Sequence, residues 1–406
     1  MRVNHREDKD GTRKSSDLES SVYRPPTSPV LRALWNFSSQ WFLIPQGTGI
    51  IAVILHQLSY QFRGLDIISV IVWIYTIASL LVGLSLYLLR AFIYPRRTAR
   101  ALRSSIVETA CLASISITFT TIIQMIVLVL VRQWGPAWGI VAYVLWWVNT
   151  TLAVIAVMGI PYVFVKVQPP GVKAVTPVVL LPLISTLTSA AGGGVICRYG
   201  ALSDRLQVPV IIVSYLEVGL GIALAMAFNN VFVTRLFDRS FPPLEQIHQD
   251  MILCGPFGQG SFALQILGQV VGRGSFAEYD RGEFLTADAA KPIAFASQLA
   301  GLMAWGYGTF WWVFAIISIV HTFVSQSCGI RKSHFTMSAW SLVFPMVSES
   351  DGFCCGMNKP DVILYDKTGC LYKCRCTTRH GHGFVCFQGL VHGLTPNAYH
   401  RLDCFT

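Results

Sequence analysis

The amino-acid sequence predicts an all-α polytopic membrane protein, and three observations support this fold class. Hydrophobic residues make up 53% and charged residues 13% of the 406 residues, whereas charged residues are about a quarter of an ordinary soluble domain. The apolar residues occur in runs of about 20 or more, the length that crosses the hydrocarbon core of a bilayer. The first 40 residues contain no such run and carry both signs of charge. We therefore expect a cytosolic tail there rather than a signal peptide.

Eight apolar runs are long enough to span a bilayer, and a ninth begins near Met337. They are called the first to ninth spans, and the first eight cover residues 42–58, 67–89, 106–131, 138–165, 178–196, 210–233, 252–271 and 293–324. The connection after the second span, residues 90–103, has five arginines and no acidic residue. Because positively charged connections stay in the cytosol, this connection and the amino terminus are predicted to be cytosolic. Such connections explain the net charge of +10, so no nucleic-acid partner is expected.

Glycine, proline and polar residues are concentrated in the odd-numbered spans, whereas the even-numbered spans are smoother. Proline removes a helix hydrogen bond, and a freed carbonyl at membrane depth needs protein or water as a partner. The odd spans are therefore predicted to be distorted and to surround a polar pathway. The predicted kinks are at Pro45, Gly47, Gly49, Pro182, Gly193, Pro256 and Pro345.

Hydroxyl and amide side chains recur on one face of several odd spans. Ser261, Gln265 and Gln269 are four residues apart, so they share a helix face. Glutamine does not easily satisfy itself on the preceding turn, and stacked glutamines therefore favour a lined cavity. Glycine patterns such as GQVVG at Gly268 are equally typical of helix packing. The predicted lining residues are Gln46, Thr48, Ser114, Thr118, Thr121, Ser185, Ser189, Gly258, Ser261, Gln265 and Gln269.

Two ionisable residues in the spans have both a structural and a functional interpretation. Glu217 is a candidate proton or substrate site, but its position in the even-numbered sixth span favours contact with other polar groups of the protein. His56, at the end of the first span, is interpreted as an interfacial anchor rather than a proton relay. A membrane enzyme would need convergent acid, histidine or cysteine side chains at membrane depth, and Glu217 with Asn149 is too small a set. No catalytic residue, cofactor or metal site is predicted.

Seven segments carry a resemblance to a known family. They are QWFLIPQGTGIIAVIL from Gln40, YVLWWVN from Tyr143, PVVLLPLISTLTSAAGGGVI from Pro177, IVSYLEVGLGIALAM from Ile212, CGPFGQGSFALQILG from Cys254, LMAWGYGTFWWVFAI from Leu302 and FTMSAWSLVFP from Phe335. In this order they resemble successive helices of the fungal tellurite-resistance/dicarboxylate transporter family, which is related to bacterial and plant slow-type anion channels. The resemblance runs from about Gln40 to Pro345, and GPFGQG and the AAGGG segment are its more specific parts.

The resemblance implies ten transmembrane helices in five hairpins, with the odd helices as an inner ring around an anion pathway. It implies export of sulfite across the plasma membrane, with transport of a C4-dicarboxylate such as malate as the alternative, and a homotrimer as the oligomeric state. In family members of known structure, a phenylalanine of the ninth helix occludes the pore. The W-x-x-x-F pattern assigns that role to Phe344, and the alternative is a phenylalanine packed against lipid or helix. No arginine or lysine lies deep in any odd span, so backbone amides and positive helix ends are expected to select the anion.

Two departures from the family pattern lie within the spans. The third span, which reads ETACLASISITF, contains no proline, so a kink is not expected from its sequence. Asn149 follows the paired tryptophans where the family usually has an acidic residue, so a charge-dependent role at that position is lost or altered.

Residues 346–406 are polar, rich in cysteine, histidine and glycine, and without an apolar run of span length. One interpretation is a zinc cluster of Cys374, Cys376, His380 and His382, but C-x-C and H-x-H spacings fit structural zinc sites poorly. A second is a regulatory tail. A third, which we favour, is an unspliced intron or a frameshift after Pro345; the chain as written would then be nonfunctional, because an incomplete inner ring exposes backbone polar groups to lipid. The predicted organisation is a cytosolic tail (1–40), a transporter domain (41–345) and an aberrant tail (346–406).

Overall fold

The computed structural model describes residues 26–58, 62–167, 176–239, 247–276, 279, 282, 285–325, 337–348, 362–365 and 371–374. The first 25 residues of the predicted cytosolic tail lie outside the described residues. So do Cys376, His380 and His382 of the predicted zinc cluster, whereas Cys374 belongs to a strand.

The described part of the chain is helical apart from one short hairpin. The helices are α1 (Pro29–Asn36), α2 (Leu43–Gln57), α3 (Leu65–Ile93), α4 (Pro95–Ser104), α5 (Ile106–Ala110), α6 (Ala113–Met125), α7 (Val131–Trp134), α8 (Ala137–Val167), α9 (Leu181–Tyr199), α10 (Asp204–Arg239), α11 (Gly255–Val271), α12 (Ala287–Ser325) and α13 (343–348). The 3-10 turns Ser39–Phe42, Pro177–Leu180, Ile247–Leu253 and Met337–Leu342 precede α2, α9, α11 and α13, and the π-helical turn Ile126–Leu130 joins α6 to α7. Strands β1 (Val362–Tyr365) and β2 (Leu371–Cys374) pair antiparallel.

A helix lies at each of the predicted spans. The first, second, fourth, fifth, sixth, seventh and eighth spans are α2, α3, α8, α9, α10, α11 and α12, the third is α5 to α7, and the ninth is α13 with its 3-10 turn. Among the described residues, six helical segments are long and apolar enough to cross a membrane. A seventh is counted if α1 and residues Ser39–Gln57, which are bent by 76°, form one span. These helices confirm the all-α polytopic fold class.

The burial of the spans separates an inner from an outer layer. The apolar segment of the third span is 72% buried and that of the fifth 100%, whereas the second, fourth, sixth and eighth are 22%, 33%, 39% and 22% buried. Sixteen of the 17 residues of α11, the seventh span, are buried. The third, fifth and seventh spans are therefore mostly or wholly covered by protein, while the even spans are largely exposed, as expected for helices that face lipid. This confirms the predicted inner and outer arrangement for these spans.

The contacts between helices define hairpins and a ring. The first and second, third and fourth, fifth and sixth, and seventh and eighth spans pack as pairs. The inner spans also contact one another in the order first, third, fifth and seventh. The 3-10 turn before α13 contacts both α2 and the 3-10 turn before α11, so the ninth span bridges the first and seventh at the end where the inner spans begin. We call this end of the bundle the entry end, and the other the exit end.

Proline marks the position where inner spans change from 3-10 turn to α-helix. Pro45, Pro182, Pro256 and Pro345 lie at the second or third residue of α2, α9, α11 and α13. The N–H groups of a first helical turn have no partner within the helix, so proline is tolerated there. The distortion predicted at these prolines is therefore a change of helix type at a helix start. The third span breaks at Cys111 and Leu112 without any proline.

The glycines among the predicted kink residues have a different role. Gly47, Gly49 and Gly193 lie inside α-helices that continue without a change of helix type at these positions. A Cβ atom at Gly47 would lie 3.2 Å from Val343 of the ninth span, and one at Gly49 would overlap Thr121 of the third. Small residues let helices approach closely in a membrane. Gly47 and Gly49 therefore set distances between neighbouring inner spans, whereas Gly193 lies against Trp146 of the fourth span and Ser214 of the sixth.

A glycine contact between the fourth and fifth spans yields a stability prediction. A Cβ atom at Gly139 of α8 would overlap the backbone carbonyl oxygen of Gly200, which follows α9. Because backbone cannot rotate away, Gly139→Ala is expected to cost about 1–3 kcal/mol of stability. Gly159, in the same helix, has no atom within 4 Å of such a Cβ, and Gly159→Ala is expected to be neutral or stabilising. Thermal unfolding in detergent measures both, and equal melting temperatures would contradict the backbone contact.

Candidate anion pathway

A cavity of about 580 Å³ opens between the inner spans at the exit end. Its walls come from the last turns of the first, third, fifth and seventh spans and the residues directly after them. The lining residues are Ile54, His56, Gln57, Leu58, Val127, Leu128, Val131, Arg132, Arg198, Tyr199, Phe262, Ile266 and Gln269. We call this cavity the vestibule. It lies where a pathway through the centre of the inner ring would reach the surface.

The charged groups of the vestibule wall are basic. Arg132 and Arg198 both line it, and no carboxylate is among the lining residues that the structure describes. The Nε atom of Arg198 is buried without a hydrogen-bond partner in the described structure, and its guanidinium carbon lies 5.1 Å from the ring centre of Tyr199. The arginines also complement the carbonyl ends of their helices. A concave surface with this charge concentrates anions.

A buried apolar cluster lies deeper in the ring, and we call its part around Phe344 the constriction. Besides side chains of the fourth, sixth and eighth spans, the cluster of Phe344, which is itself 1% exposed, contains side chains from each of the other four inner spans. These side chains are Ile50 of the first span, Ile117 of the third, Ile184 of the fifth and Phe257 of the seventh. With a rise of 1.5 Å per residue, they lie about 6–21 Å along their helices from the nearest vestibule residue. Phe344 therefore belongs to the same buried apolar cluster as side chains from the other four inner spans.

Four of the predicted lining residues face the outer layer. The hydroxyl of Thr48 is 2.9 Å from that of Thr76 in the second span, and the hydroxyl of Ser189 is 2.8 Å from that of Thr150 in the fourth. Gln265 packs against Gly301 of the eighth span and donates a hydrogen bond of 2.9 Å to Ser261. Glutamine here satisfies its amide on a serine one turn earlier, which the sequence argument left out. This corrects the predicted pathway position of Thr48, Ser189, Ser261 and Gln265.

Other predicted lining residues are buried in the inner ring. Thr118, Thr121 and Ser185 donate hydrogen bonds of 2.7–2.8 Å to carbonyl oxygens of their own helices. Gly258 is buried within α11, and Gln269 lines the vestibule.

Two predicted residues keep an unsatisfied polar atom. Gln46 Oε1 and Ser114 Oγ are buried without a hydrogen-bond partner among the described residues. Gln46 is four residues before Ile50 and eight before Ile54, so it shares the helix face that leads from the constriction to the vestibule. Unsatisfied buried polar atoms are costly, and we propose that water or a passing anion supplies their partner.

Four residues of the pathway were missed by the sequence reasoning. Gln259 precedes the vestibule residues Phe262 and Ile266 by three and seven positions, and Gln124 precedes Leu128 by four. Both glutamines are buried and have an amide atom without a described partner. The others are Arg132 and Arg198. Their signal was their position directly at the end of an odd span.

A second polar cluster joins the inner and outer layers. Asn149 accepts a hydrogen bond of 3.0 Å from Ser116 and donates one of 2.7 Å to Thr120. The carboxylate of Glu217, which is 3% exposed, lies beside the hydroxyls of Ser189 and Thr150. The structural interpretation therefore fits the contacts of Asn149, whereas both carboxylate oxygens of Glu217 are buried without a hydrogen-bond partner in the described structure. Within the described residues, no group of three His, Cys, Asp or Glu side chains is close enough to hold a metal ion.

A buried carboxylate, Asp250, lies in the 3-10 turn before α11 and accepts a hydrogen bond of 2.9 Å from Ser318. Burial raises its pKa to about 6 from an ordinary value of 3.8, against the lowering effects of Ser318 and Arg235. The folded protein therefore binds this proton more tightly than the unfolded chain does. As a result, the contribution of Asp250 to stability increases as the pH falls through 6 towards 4.

Asp250→Asn is expected to remove this increase, so that the variant gains less stability than the native chain between pH 7 and pH 5. Burial lowers the pKa of the neighbouring His248, which works in the opposite direction. The quantity to compare is therefore the difference in melting temperature between the native chain and the variant at each pH, measured by thermal unfolding. Parallel pH profiles would contradict the assignment.

Comparison with known proteins finds one matching family and several related transport proteins. Residues 36–350 match the family described as voltage-dependent anion channel (SLAC1). The sulfite efflux pump SSU1 of Arthroderma otae is 28% identical over 314 residues, which cover 77% of this chain and 80% of that protein. The sulfite efflux pump SSU1 of Saccharomyces cerevisiae is 23% identical over 64% of this chain and 63% of its own length. An uncharacterized transporter of Methanocaldococcus jannaschii is 23% identical over 77% of this chain and 82% of its own length.

Proposed function

The chain belongs to the voltage-dependent anion channel family, and from this premise we propose that it exports sulfite across the plasma membrane. The observation that carries the proposal is the vestibule, where Arg132 and Arg198 face a concave opening between the inner spans. The relatives named as sulfite efflux pumps support sulfite as the anion.

The polar groups along the proposed pathway suit a small anion. Beyond the arginines of the vestibule, the faces leading inward carry amide groups, such as Gln46 and Gln259, and the apolar constriction at Phe344. A C4-dicarboxylate needs two separated points of cationic recognition, and the buried part of the pathway offers amides instead. A small anion can be coordinated by one ring of amide groups at a time. Its binding at each position is then weak, which allows rapid passage.

The helix starts supply positive potential at the entry end. The α-helical parts of the first, fifth, seventh and ninth spans begin at residues 43, 181, 255 and 343. Leu43, Leu181, Phe257 and Phe344 near these starts belong to the cluster of the constriction. Because a helix amino terminus carries partial positive charge, an anion at the constriction lies between positive helix ends and the basic vestibule.

Expression in a yeast strain that lacks its own sulfite pump tests the proposal. The expected result is higher sulfite tolerance together with faster release of preloaded sulfite, without a change in malate uptake. Malate uptake without sulfite release would favour the dicarboxylate alternative, and neither activity in a well-expressed protein would refute both.

Neutralising the vestibule arginines is expected to weaken the binding of sulfite at the exit end, where the proposed pathway opens to the outside. The variant Arg132→Gln/Arg198→Gln should raise the half-saturating sulfite concentration by about fivefold for each charge, equivalent to about 1 kcal/mol each. Arg63→Gln/Arg205→Gln removes the same charge from residues that do not line the vestibule and serves as the matched control. Flux into liposomes, measured over a range of sulfite concentrations and at two ionic strengths, checks the prediction. Equal half-saturation in both variants would contradict it.

We also propose that the amino terminus and entry end face the cytosol, that the protein forms a homotrimer, and that residues 41–345 form the transporter domain. The segment 346–406 is proposed to replace the rest of the ninth span and the tenth. Sequencing the transcript across the codon for Pro345 tests this directly. A message that continues into two apolar spans supports it, and a message that encodes residues 346–406 opposes it.

A further inference from the structure

A second cavity, of about 620 Å³, lies on the outside of the bundle at the entry end. It is formed between α1 with the following turn and the second span. Its lining residues are Val30, Ala33, Leu34, Asn36, Phe37, Trp41, Ile44, Pro45, Tyr75, Ser79, Val82, Gly83, Leu86 and Leu89. Most of these side chains are apolar. We call this cavity the outer groove, and it is separate from the vestibule.

The outer groove opens toward the lipid-facing side of the second span. Leu81, Val82 and Leu88 are 58–60% exposed, and Phe92 is 87% exposed. The apolar segment of this span is only 22% buried in the protein. In a membrane these side chains contact acyl chains, so a lipid chain can enter the groove sideways from the bilayer.

A basic helix lies directly beyond the second span. Helix α4 has the sequence PRRTARALRS and contains no acidic residue. Arg96, Arg100 and Arg103 are exposed and lie four and three positions apart, so they share one face. Thr98 is buried on another face. Basic segments next to a transmembrane helix on the cytosolic side attract anionic lipids.

The basic helix is joined to the wall of the outer groove by aromatic contacts. The guanidinium carbon of Arg97 lies 4.0 Å from the ring centre of Trp35 in α1. The ring of Trp35 lies edge-on against Tyr94, with centroids 4.8 Å apart. Trp35 follows the groove residue Leu34 in sequence. These contacts place the start of α4 beside α1, which forms one wall of the outer groove.

We propose that the outer groove and α4 together bind an anionic phospholipid of the cytosolic leaflet. One acyl chain occupies the groove between α1 and the second span. The phosphate-bearing headgroup is bound by the exposed arginines of α4, whose guanidinium groups match phosphate oxygens in geometry and charge. The bound lipid fastens α1 to the start of the first span. This site does not depend on which anion the central pathway carries.

The test uses the full-length protein purified in detergent, with phosphatidylserine and phosphatidylcholine of identical acyl chains as probes. Native mass spectrometry should show phosphatidylserine retained over phosphatidylcholine by at least about fivefold, and phosphatidylserine should raise the melting temperature. Soluble glycerophosphoserine should have no effect, because it has no acyl chain. If glycerophosphoserine by itself raised the melting temperature, the proposal would be overturned in favour of a site for a free anion. Equal retention of both lipids by the native chain would also overturn it.

Variants separate the two parts of the site. Arg96→Gln/Arg100→Gln/Arg103→Gln should lose the preference for phosphatidylserine but still retain some lipid. Arg63→Gln/Arg205→Gln/Arg273→Gln removes equal charge elsewhere and should keep the preference. Ala33→Trp, at an exposed groove residue, should reduce retention of both lipids. An unchanged preference in the α4 variant, or unchanged retention in Ala33→Trp, would contradict the site.

Discussion

Replacing Phe344 with alanine is expected to raise the passive anion conductance of the protein by about tenfold or more. The side chain is 1% exposed and lies in a buried apolar cluster that includes side chains from all five inner spans. An apolar constriction of this kind blocks an anion because the ion cannot keep its hydration shell there. Removal of the ring leaves space for water beside the amides of the pathway. Chloride or sulfite flux from liposomes, normalised to the amount of protein, measures the change.

The control must separate a gate from a loss of stability, because truncation of a buried phenylalanine costs about 3–5 kcal/mol in any core. Phe276 is also 1% exposed but belongs to the other buried cluster. Phe276→Ala is expected to lower the melting temperature by a similar amount without raising the flux. Phe344→Leu should give an intermediate flux, since it keeps part of the volume. Equal fluxes in Phe344→Ala and Phe276→Ala would remove Phe344 from the gate.

The layer arrangement could be predicted from the sequence because it depends on composition over whole spans. Small and polar residues are concentrated in the odd spans, and those spans are buried, while the even spans keep one side for lipid. The proline positions of the odd spans were equally informative, because proline is well tolerated at helix starts, although Pro161, Pro209 and Pro292 lie inside helices of the even spans. The break of the third span at Cys111 and Leu112 was not predictable in this way, because no residue type there marks it.

The faces of the inner helices were harder to predict, since each helix has neighbours on every side. Ser261 and Gln265 form a polar stripe on one helix face. From the sequence alone, that face is equally compatible with the centre of the ring and with the eighth span. Their contact with Gly301 shows that the stripe faces the eighth span. Gly301 lies 36 positions from Gln265 in the sequence, so this contact cannot be read from the local pattern. Gln259 lies on the face that reaches the vestibule, yet its sequence surroundings resemble those of Gln265. Only the packing of the hairpins distinguishes the two glutamines.

Substitution of Glu108 by alanine is expected to destabilise the protein by about 3–5 kcal/mol, because it leaves the charge of Arg90 buried without a partner. The Nη1 atom of Arg90 lies 2.6 Å from Oε1 of Glu108, and the two side chains are 5% and 7% exposed. The backbone N–H of Ser39 donates a hydrogen bond of 3.2 Å to Oε2 of Glu108. The Ser39 hydroxyl donates one of 2.6 Å to the backbone carbonyl oxygen of Glu108. The pair thus joins the second and third spans to the turn before the first.

The double variant Arg90→Leu/Glu108→Leu distinguishes an ion pair from two independent contacts. If the charges stabilise mainly each other, removing both should cost less than removing Glu108 alone, because no unpaired charge remains. The comparison uses thermal unfolding of the native chain, both single variants and the double variant. Additive losses would show that each side chain acts through its own packing. A positive coupling energy would mean that one buried charge pair fixes the geometry of the entry end. The position of the first span beside the constriction would then depend on this pair.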